Sequence, residues 1–179
     1  MKQEITYLNM ILKNYKNIFF DRDGVINSVI KRGEVISSPR FYEEFKLKKD
    51  FIDFSYSAKD FNTTFFICSN QPDISRNLLK EDELKKMHSK ITEFLPFKEI
   101  SFCPHDDADN CNCRKPKPGM INNLIQKYNL NRKDCLFIGD SIKDLSAAKQ
   151  AKIDAYLINT EYNMDINYTY KIDYLTDLL

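Results

Sequence analysis

The sequence predicts an α/β fold in which a parallel sheet is covered by helices on both faces. Three observations predict it. First, short and largely apolar runs recur along the chain: NIFF (17–20), TTFFIC (63–68), EISFC (99–103), CLFIG (135–139) and AYLIN (155–159). Second, the segments between them carry apolar residues at helical spacing. Strands that are apolar on both faces and alternate with helices belong to parallel sheets buried on both sides. Third, several runs end in small or polar residues, and such sheets bind ligands at the carboxyl ends of their strands.

NIFF is the first strand. Phe51, Phe54, Ser55 and Ala58 share one helical face. TTFFIC is β-branched and aromatic, as a buried strand should be. Leu84, Met87, His88, Ile91 and Leu95 mark the next helix, whose start, KEDELKK (80–86), places acids ahead of bases. EISFC is the third strand and leads into a polar, cysteine-rich loop. Pro118 sits where a helix can start, followed by Ile121, Leu124, Ile125 and Tyr128 on one face. CLFIG is the fourth strand, Ile142, Leu145 and Ala148 the next helix, and AYLIN the fifth strand. The end, YKIDYLTDLL, reads as a short closing helix. Ahead of the first strand, Ile5, Leu8, Ile11, Leu12 and Tyr15 have helical spacing, so residues 1–16 are expected to form a helical extension to a single domain over 17–179. Cys68, Cys135, Phe61, Phe65 and Phe66 are assigned to the core, and His88 to packing on its helix.

The chain has 27 basic and 26 acidic residues, a balance that gives no reason to expect a nucleic-acid or membrane partner. No apolar run approaches the roughly 18–20 residues of a membrane span. The first sixteen residues are too polar for a secretory segment, so the expected location is the cytoplasm, where thiols stay reduced. Five cysteines there point to metal binding or burial. With only His88 and His105 present, Ser–His or Cys–His catalysis has few members to draw on.

The strand ends collect the chemistry. Asp21 and Asp23 end the first strand, Ser69, Asn70 and Gln71 the second, Cys103 the third, and Gly139 and Asp140 the fourth. Asp and Gly also end strands merely because they suit turns, but turns alone do not require a matched set at four neighbouring ends. Asp21, Asp23 and Asp140 would repel one another unless a positive charge lay between them. Mg²⁺, a hard cation that takes carboxylate and phosphate oxygens, meets that need. Asp144 is a further acid nearby, and Arg114 and Lys115 supply positive charge from another loop. These are the parts of a phosphoryl-transfer site with a carboxylate nucleophile. By strand alternation Arg22 should point away from the two acids, and Gly24 should let the backbone turn close to phosphate.

FFDRDGVIN, ICSNQ, RKPKPG and IGDSIKDLSAA resemble, in order, the four motifs of haloacid dehalogenase-like (HAD) phosphatases, over residues 17–159. The resemblance implies a Rossmann-like HAD fold without a large cap domain. It implies Asp21 as the nucleophile, Asp23 as the general acid and base, and Lys115 as the lysine that neutralises the transferring group. The Mg²⁺ ligands would be Asp21, Asp23 through its backbone carbonyl, and Asp140. Asn27, Ser69, Asn70, Gln71, Arg114 and Lys115 would lie on the substrate side. Val25 and Ser141 depart from the pattern, where many relatives have Thr and some have Lys.

A second constellation, CPHDDADNCNC, contains Cys103, His105, Cys111 and Cys113 in the order C-x-H-x₅-C-x-C. Four such ligands suit a structural, tetrahedral Zn²⁺ that folds the loop 103–113 and aims the Arg114–Lys115 pair directly after it. With NQPDISR (70–76), this loop resembles the histidinol-phosphate and heptose 1,7-bisphosphate phosphatase branch. The segment 28–40 is expected to cover the substrate. Lys31, Arg32, Arg40, Arg76 and Arg114 favour a small sugar bisphosphate, losing its 7-phosphate in heptose biosynthesis, while Glu34, Asp73, Asp106, Asp107 and Asp109 keep histidinol phosphate as the alternative. A catalytically inactive, zinc-stabilised binding protein and a nucleic-acid end phosphatase are the readings from other classes; the full set of acids with Lys115 opposes the first and the near-zero net charge the second. The expected state is a monomer or weak homo-oligomer.

Overall fold

A computed structural model describes residues 11–179. Strand β1 (Asn17–Phe20) is buried along its whole length and lies at the centre of the sheet. On one side it pairs in parallel with β4 (Thr64–Asn70), which pairs with β5 (Glu99–Cys103). On its other side it pairs with β6 (Cys135–Gly139), which is followed by β7 (Asp154–Ile158) and β8 (Lys171–Ile172). The order β5-β4-β1-β6-β7-β8 means that the chain builds outward from β1, then returns to build the other half. The reversal falls beside β1, and the crevice it leaves is at the carboxyl ends of β1 and β6.

Helix α1 (Ile11–Asn14) precedes the sheet, and α2 (Lys49–Ala58), α3 (Glu81–Thr92), α4 (Gly119–Lys127) and α5 (Ile142–Gln150) connect its strands. Alternation along β1 sorts the core into two layers. Ile18 and Phe20 face α2 and α3 with Phe54, Phe65 and Ile91, while Phe19 faces α4 and α5 with Phe66, Leu124 and Ala148. Phe20, Phe54 and Phe65 make edge and tilted ring contacts at 5.9–6.1 Å, and Phe19 stacks on Phe66 at 4.9 Å. No helix among the described residues is long and apolar enough to cross a membrane.

Several expectations are corrected. The C-terminal segment contributes β8, a sixth parallel strand, before a 3₁₀ turn at Leu175–Leu178. Residues 30–37 form a hairpin of β2 (Ile30–Arg32) and β3 (Val35–Ser37), turned at Gly33 with φ +62°. Ile142 is exposed, because it opens α5 and the buried face begins at Asp144 and Leu145. Of the expected N-terminal helix, Leu12 is buried and Ile11 and Tyr15 pack on the core, while Ile5 and Leu8 lie outside the described residues.

Phe54→Ala should cost about 3–5 kcal/mol of unfolding free energy in a urea titration. A loss below about 1 kcal/mol would contradict this two-layer core.

Candidate active site

The strands run in register, so their ends are level. Phe20 lies opposite both Ile67 and Ile138, and the amide of Asp21 continues the ladder to the Ile138 carbonyl at 2.9 Å. Asp21 and Asp140 therefore leave neighbouring strands side by side. The sequence after β6 places Asp144 there too. Ser141 caps α5, and the Ser141–Asp144 capping box turns the Asp144 carboxylate back toward the Asp140 and Ser141 amides at 3.3 and 3.1 Å. Carboxylate oxygens of Asp21, Asp140 and Asp144 all lie within 4.8 Å of one another.

The cation in this cluster is Lys115. Its Nζ, on a fully buried side chain, lies 2.9 Å from Asp21 Oδ1 and 2.6 Å from Asp144 Oδ1. Asn70 fixes the lysine's backbone through a reciprocal pair, its Nδ2 donating to the Lys115 carbonyl at 2.9 Å and its Oδ1 accepting from the Lys115 amide at 3.0 Å. Burial alone would lower the ammonium's pKa, but Asp144 and Asp21 reverse the effect and keep it charged.

Three carboxylates outnumber one lysine, and the imbalance shows at Asp21 and Asp140. Burial, reinforced by Asp144 and Asp23 against the opposing pull of Lys115, pushes Asp21 up to about 7. Asp140 is raised well above the usual carboxylate range by burial and by Asp144 and Asp21. An oxygen-only, charge-deficient set of this kind fits a hard divalent cation.

Asp23 lives in a different environment. Its carboxylate accepts from Arg22 Nη2 at 3.0 Å, Asn27 Nδ2 at 2.9 Å, Ser38 Oγ at 3.0 Å and Gln71 Nε2 at 2.7 Å. Burial alone would raise its pKa, but the Arg22 charge and these donors hold it below the ordinary value. Arg22 thus does not point away from the acids. It lies beyond the last residue of β1, where strand alternation no longer applies, and its buried guanidinium bridges Asp23 and the Gln71 side-chain Oε1, each at 3.0 Å.

A cavity of about 360 Å³ gathers Asp21, Asp23, Asn70, Gln71, Arg114, Lys115 and Asp140 on its wall. Asn27 and Ser69 do not line it. Both are buried, Asn27 bonding Asp23 and Ser69 accepting from Gln71 Nε2 at 2.8 Å, so they support the wall from behind. Larger clefts of about 740 and 890 Å³ lie elsewhere, and neither is lined by the ends of β1, β4, β5 or β6.

Two residues that the sequence left unassigned complete the site. The Tyr162 hydroxyl donates to Asp140 Oδ2 and lines the cavity. Beside it, buried Asn163 donates to the backbone carbonyls of Asp140 at 2.7 Å and Ile158 at 2.9 Å. Both follow β7, so the strand-end rule could have found them. No spacing ties them to Asp140, some twenty residues earlier.

Next to the cavity, the Sγ atoms of Cys103, Cys111 and Cys113 and Nδ1 of His105 form a cluster with close pairs at 3.2–3.6 Å. A tetrahedral zinc with its ~2.3 Å bonds to sulfur needs sulfur–sulfur edges of roughly 3.8 Å, close to this arrangement. The cysteines are free rather than paired in disulfides. The donor set fits zinc.

Gly24 adopts φ +87°, and a Cβ there would collide with Asp140 Oδ2 and the Tyr162 hydroxyl. Gly24→Ala should therefore destabilise the fold by about 1–3 kcal/mol in urea unfolding. An unchanged midpoint would contradict this packing of the first strand end against Asp140.

The profile of the haloacid dehalogenase-like hydrolases matches residues 27–152. A Neisseria meningitidis serogroup A protein named D-glycero-beta-D-manno-heptose-1,7-bisphosphate 7-phosphatase is 37% identical over 137 residues, covering 74% of this chain and 71% of that protein. A Campylobacter jejuni protein named D-glycero-alpha-D-manno-heptose-1,7-bisphosphate 7-phosphatase is 31% identical over 170 residues, 92% of this chain and 94% of its own. The crystal structure of D,D-heptose 1,7-bisphosphate phosphatase from B. bronchiseptica, complexed with magnesium and phosphate, superposes with a TM-score of 0.79 at 25% identity, covering 91% of this chain and 95% of that one. The four motifs, the sheet order and these identities agree: the chain belongs to the haloacid dehalogenase-like hydrolases.

Proposed function

We propose that residues 17–179 work as one metal-dependent phosphatase domain that removes the 7-phosphate of D-glycero-D-manno-heptose 1,7-bisphosphate. The observation that carries this reading is Lys115 buried between Asp21 and Asp144, with Asp140 beside them at the base of one cavity. The names of the relatives supply the substrate.

Asp21 attacks phosphorus, and the bond from phosphorus to the ester oxygen breaks. Asp23 protonates the departing oxygen. It then takes a proton from a water that attacks the aspartyl phosphate, which releases phosphate and restores the Asp21 carboxylate. The Arg22 pair favours the accepting half of this role, since it holds Asp23 ionised. For the donating half, Asp23 must take up a proton against that pair. Lys115 keeps positive charge beside the nucleophile throughout. Asp21, the Asp23 carbonyl and Asp140 would hold Mg²⁺, which when bound offsets negative charge on the transferring phosphoryl group.

Three of the acids that a cationic leaving group such as histidinol would need are already engaged. Asp73 pairs with Arg40, Asp106 with Arg76 and Asp107 with Arg114. The same pairs occupy the arginines, but Arg40 uses only its Nε, so the rim keeps free donors for a second phosphate. Zn²⁺ on Cys103, His105, Cys111 and Cys113 would fix the loop that delivers Arg114 and Lys115. Unpaired cysteines suit a reducing compartment, so we place the reaction in the cytoplasm.

Phosphate release should be measured on both anomers of heptose 1,7-bisphosphate and on histidinol phosphate, with phosphorus NMR identifying the group lost. Loss of the 7-phosphate at the higher kcat/KM is expected; faster turnover of histidinol phosphate would overturn the substrate. Asp21→Asn should lower release by at least about 10³-fold with an unchanged circular dichroism spectrum, and near-wild-type activity would refute the nucleophile. Cys111→Ser should reduce bound zinc well below one ion per chain by elemental analysis; full zinc content would exclude this ligand set.

A further inference from the structure

Three arginines rim the cavity, and each has an acidic partner, but they differ in what remains free. Arg76 commits its whole guanidinium, Nε and Nη2 to Asp106 at 2.6 and 2.8 Å and Nη1 to Asp73 at 3.2 Å. Arg114 gives Nε to Asp107 at 2.7 Å and Nη1 to the His105 carbonyl at 3.3 Å. Arg40 gives only Nε, to Asp73 Oδ2 at 2.7 Å. Its two terminal nitrogens have no hydrogen-bond partner among the described residues, and the side chain lines the cavity that holds Asp21 and Lys115.

The free edge is held in place. Asp73 is only 4% exposed, and its two oxygens take one arginine each. Asp106 already balances Arg76, so what this arrangement leaves for a ligand is the pair of unbonded terminal N–H donors of Arg40. The backbone is fixed as well. The Arg40 amide donates to Glu44 Oε2 at 2.8 Å, and the same oxygen accepts from Arg32 at 2.6 Å. A planar guanidinium aimed through Nε presents two parallel N–H donors, the geometry that matches a phosphate edge. Holding it beforehand reduces the ordering cost of binding.

We propose that Arg40, positioned by Asp73, binds a second phosphate monoester on the substrate, distal to the phosphoryl group that Asp21 receives. This subsite rests on the bisphosphate reading above. It makes Arg40 the specificity determinant for bisphosphate over monophosphate, and Asp73 its positioning residue.

The test pairs each sugar bisphosphate with the monophosphate that lacks the distal phosphate. Heptose 1,7-bisphosphate against heptose 7-phosphate comes first, followed by hexose bisphosphate pairs. The wild-type enzyme should prefer a bisphosphate. Arg40→Gln should raise KM for that bisphosphate roughly 10- to 100-fold, the loss of one charged bidentate contact, with kcat nearly constant and a much smaller change for the monophosphate. Arg40→Lys should not restore the preference, because an ammonium lacks the planar fork. Asp73→Asn should raise the same KM by less. If that buried variant fails to fold, the Arg40 variants decide alone. Equal losses on both members of a pair, or no loss on the bisphosphate, overturn the subsite. So does a wild-type enzyme indifferent to the distal phosphate, even if it turns over heptose 7-phosphate. Preference for a different bisphosphate, lost in Arg40→Gln, supports the subsite and overturns only the heptose assignment.

Discussion

The buried ammonium of Lys115 is the contact on which the site depends. Asp144 is wholly buried and Asp21 nearly so, and two carboxylates at such close range would be unstable without it. Each of the three arrives from a different part of the chain. Asp21 comes off the central strand, Asp144 is turned back by the Ser141 capping box, and Lys115 leaves the cysteine loop with its backbone clasped by Asn70 at the end of β4. One cation therefore ties together the ends of β1, β4 and β6 and the loop after β5. The three-to-one excess of carboxylates over lysine then leaves charge that a divalent metal would balance.

Around that contact, two aspartates two residues apart are driven in opposite directions. Burial dominates at Asp21 and raises it to about 7, whereas Arg22 and a ring of neutral donors keep Asp23 ionised. Opposed environments of this kind separate the roles of paired carboxylates. The spacing of FFDRDGVIN matters because Arg22 lies between them and beyond the strand, where the backbone frees it to turn back onto its neighbour. Gly24 then allows the chain to pass under Asp140 where any side chain would collide.

Much of this was legible in the sequence, and the physical reason differs by feature. β1, β4 and β6 were readable because strands buried on both faces leave continuous apolar runs, and the partly buried β5 and β7 because short apolar runs persist there too. The cysteine cluster was readable because its members are close in sequence. β8 was not, because two residues at a sheet edge, only one of them buried, leave no run. Tyr162 and Asn163 were hidden because their link to Asp140 exists only once β6 and β7 lie side by side. The acids near the mouth looked like a surface for cations until the structure paired Asp73, Asp106 and Asp107 with arginines.

In the proposed mechanism Asp21 carries the phosphoryl group between substrate and water. The stereochemical course at phosphorus tests it most directly, with a substrate whose transferred phosphoryl is made chiral by oxygen isotopes. Two successive in-line displacements, first by Asp21 and then by water, predict net retention of configuration. Net inversion would mean that water attacks the substrate directly, and would contradict the assignment of Asp21 as nucleophile.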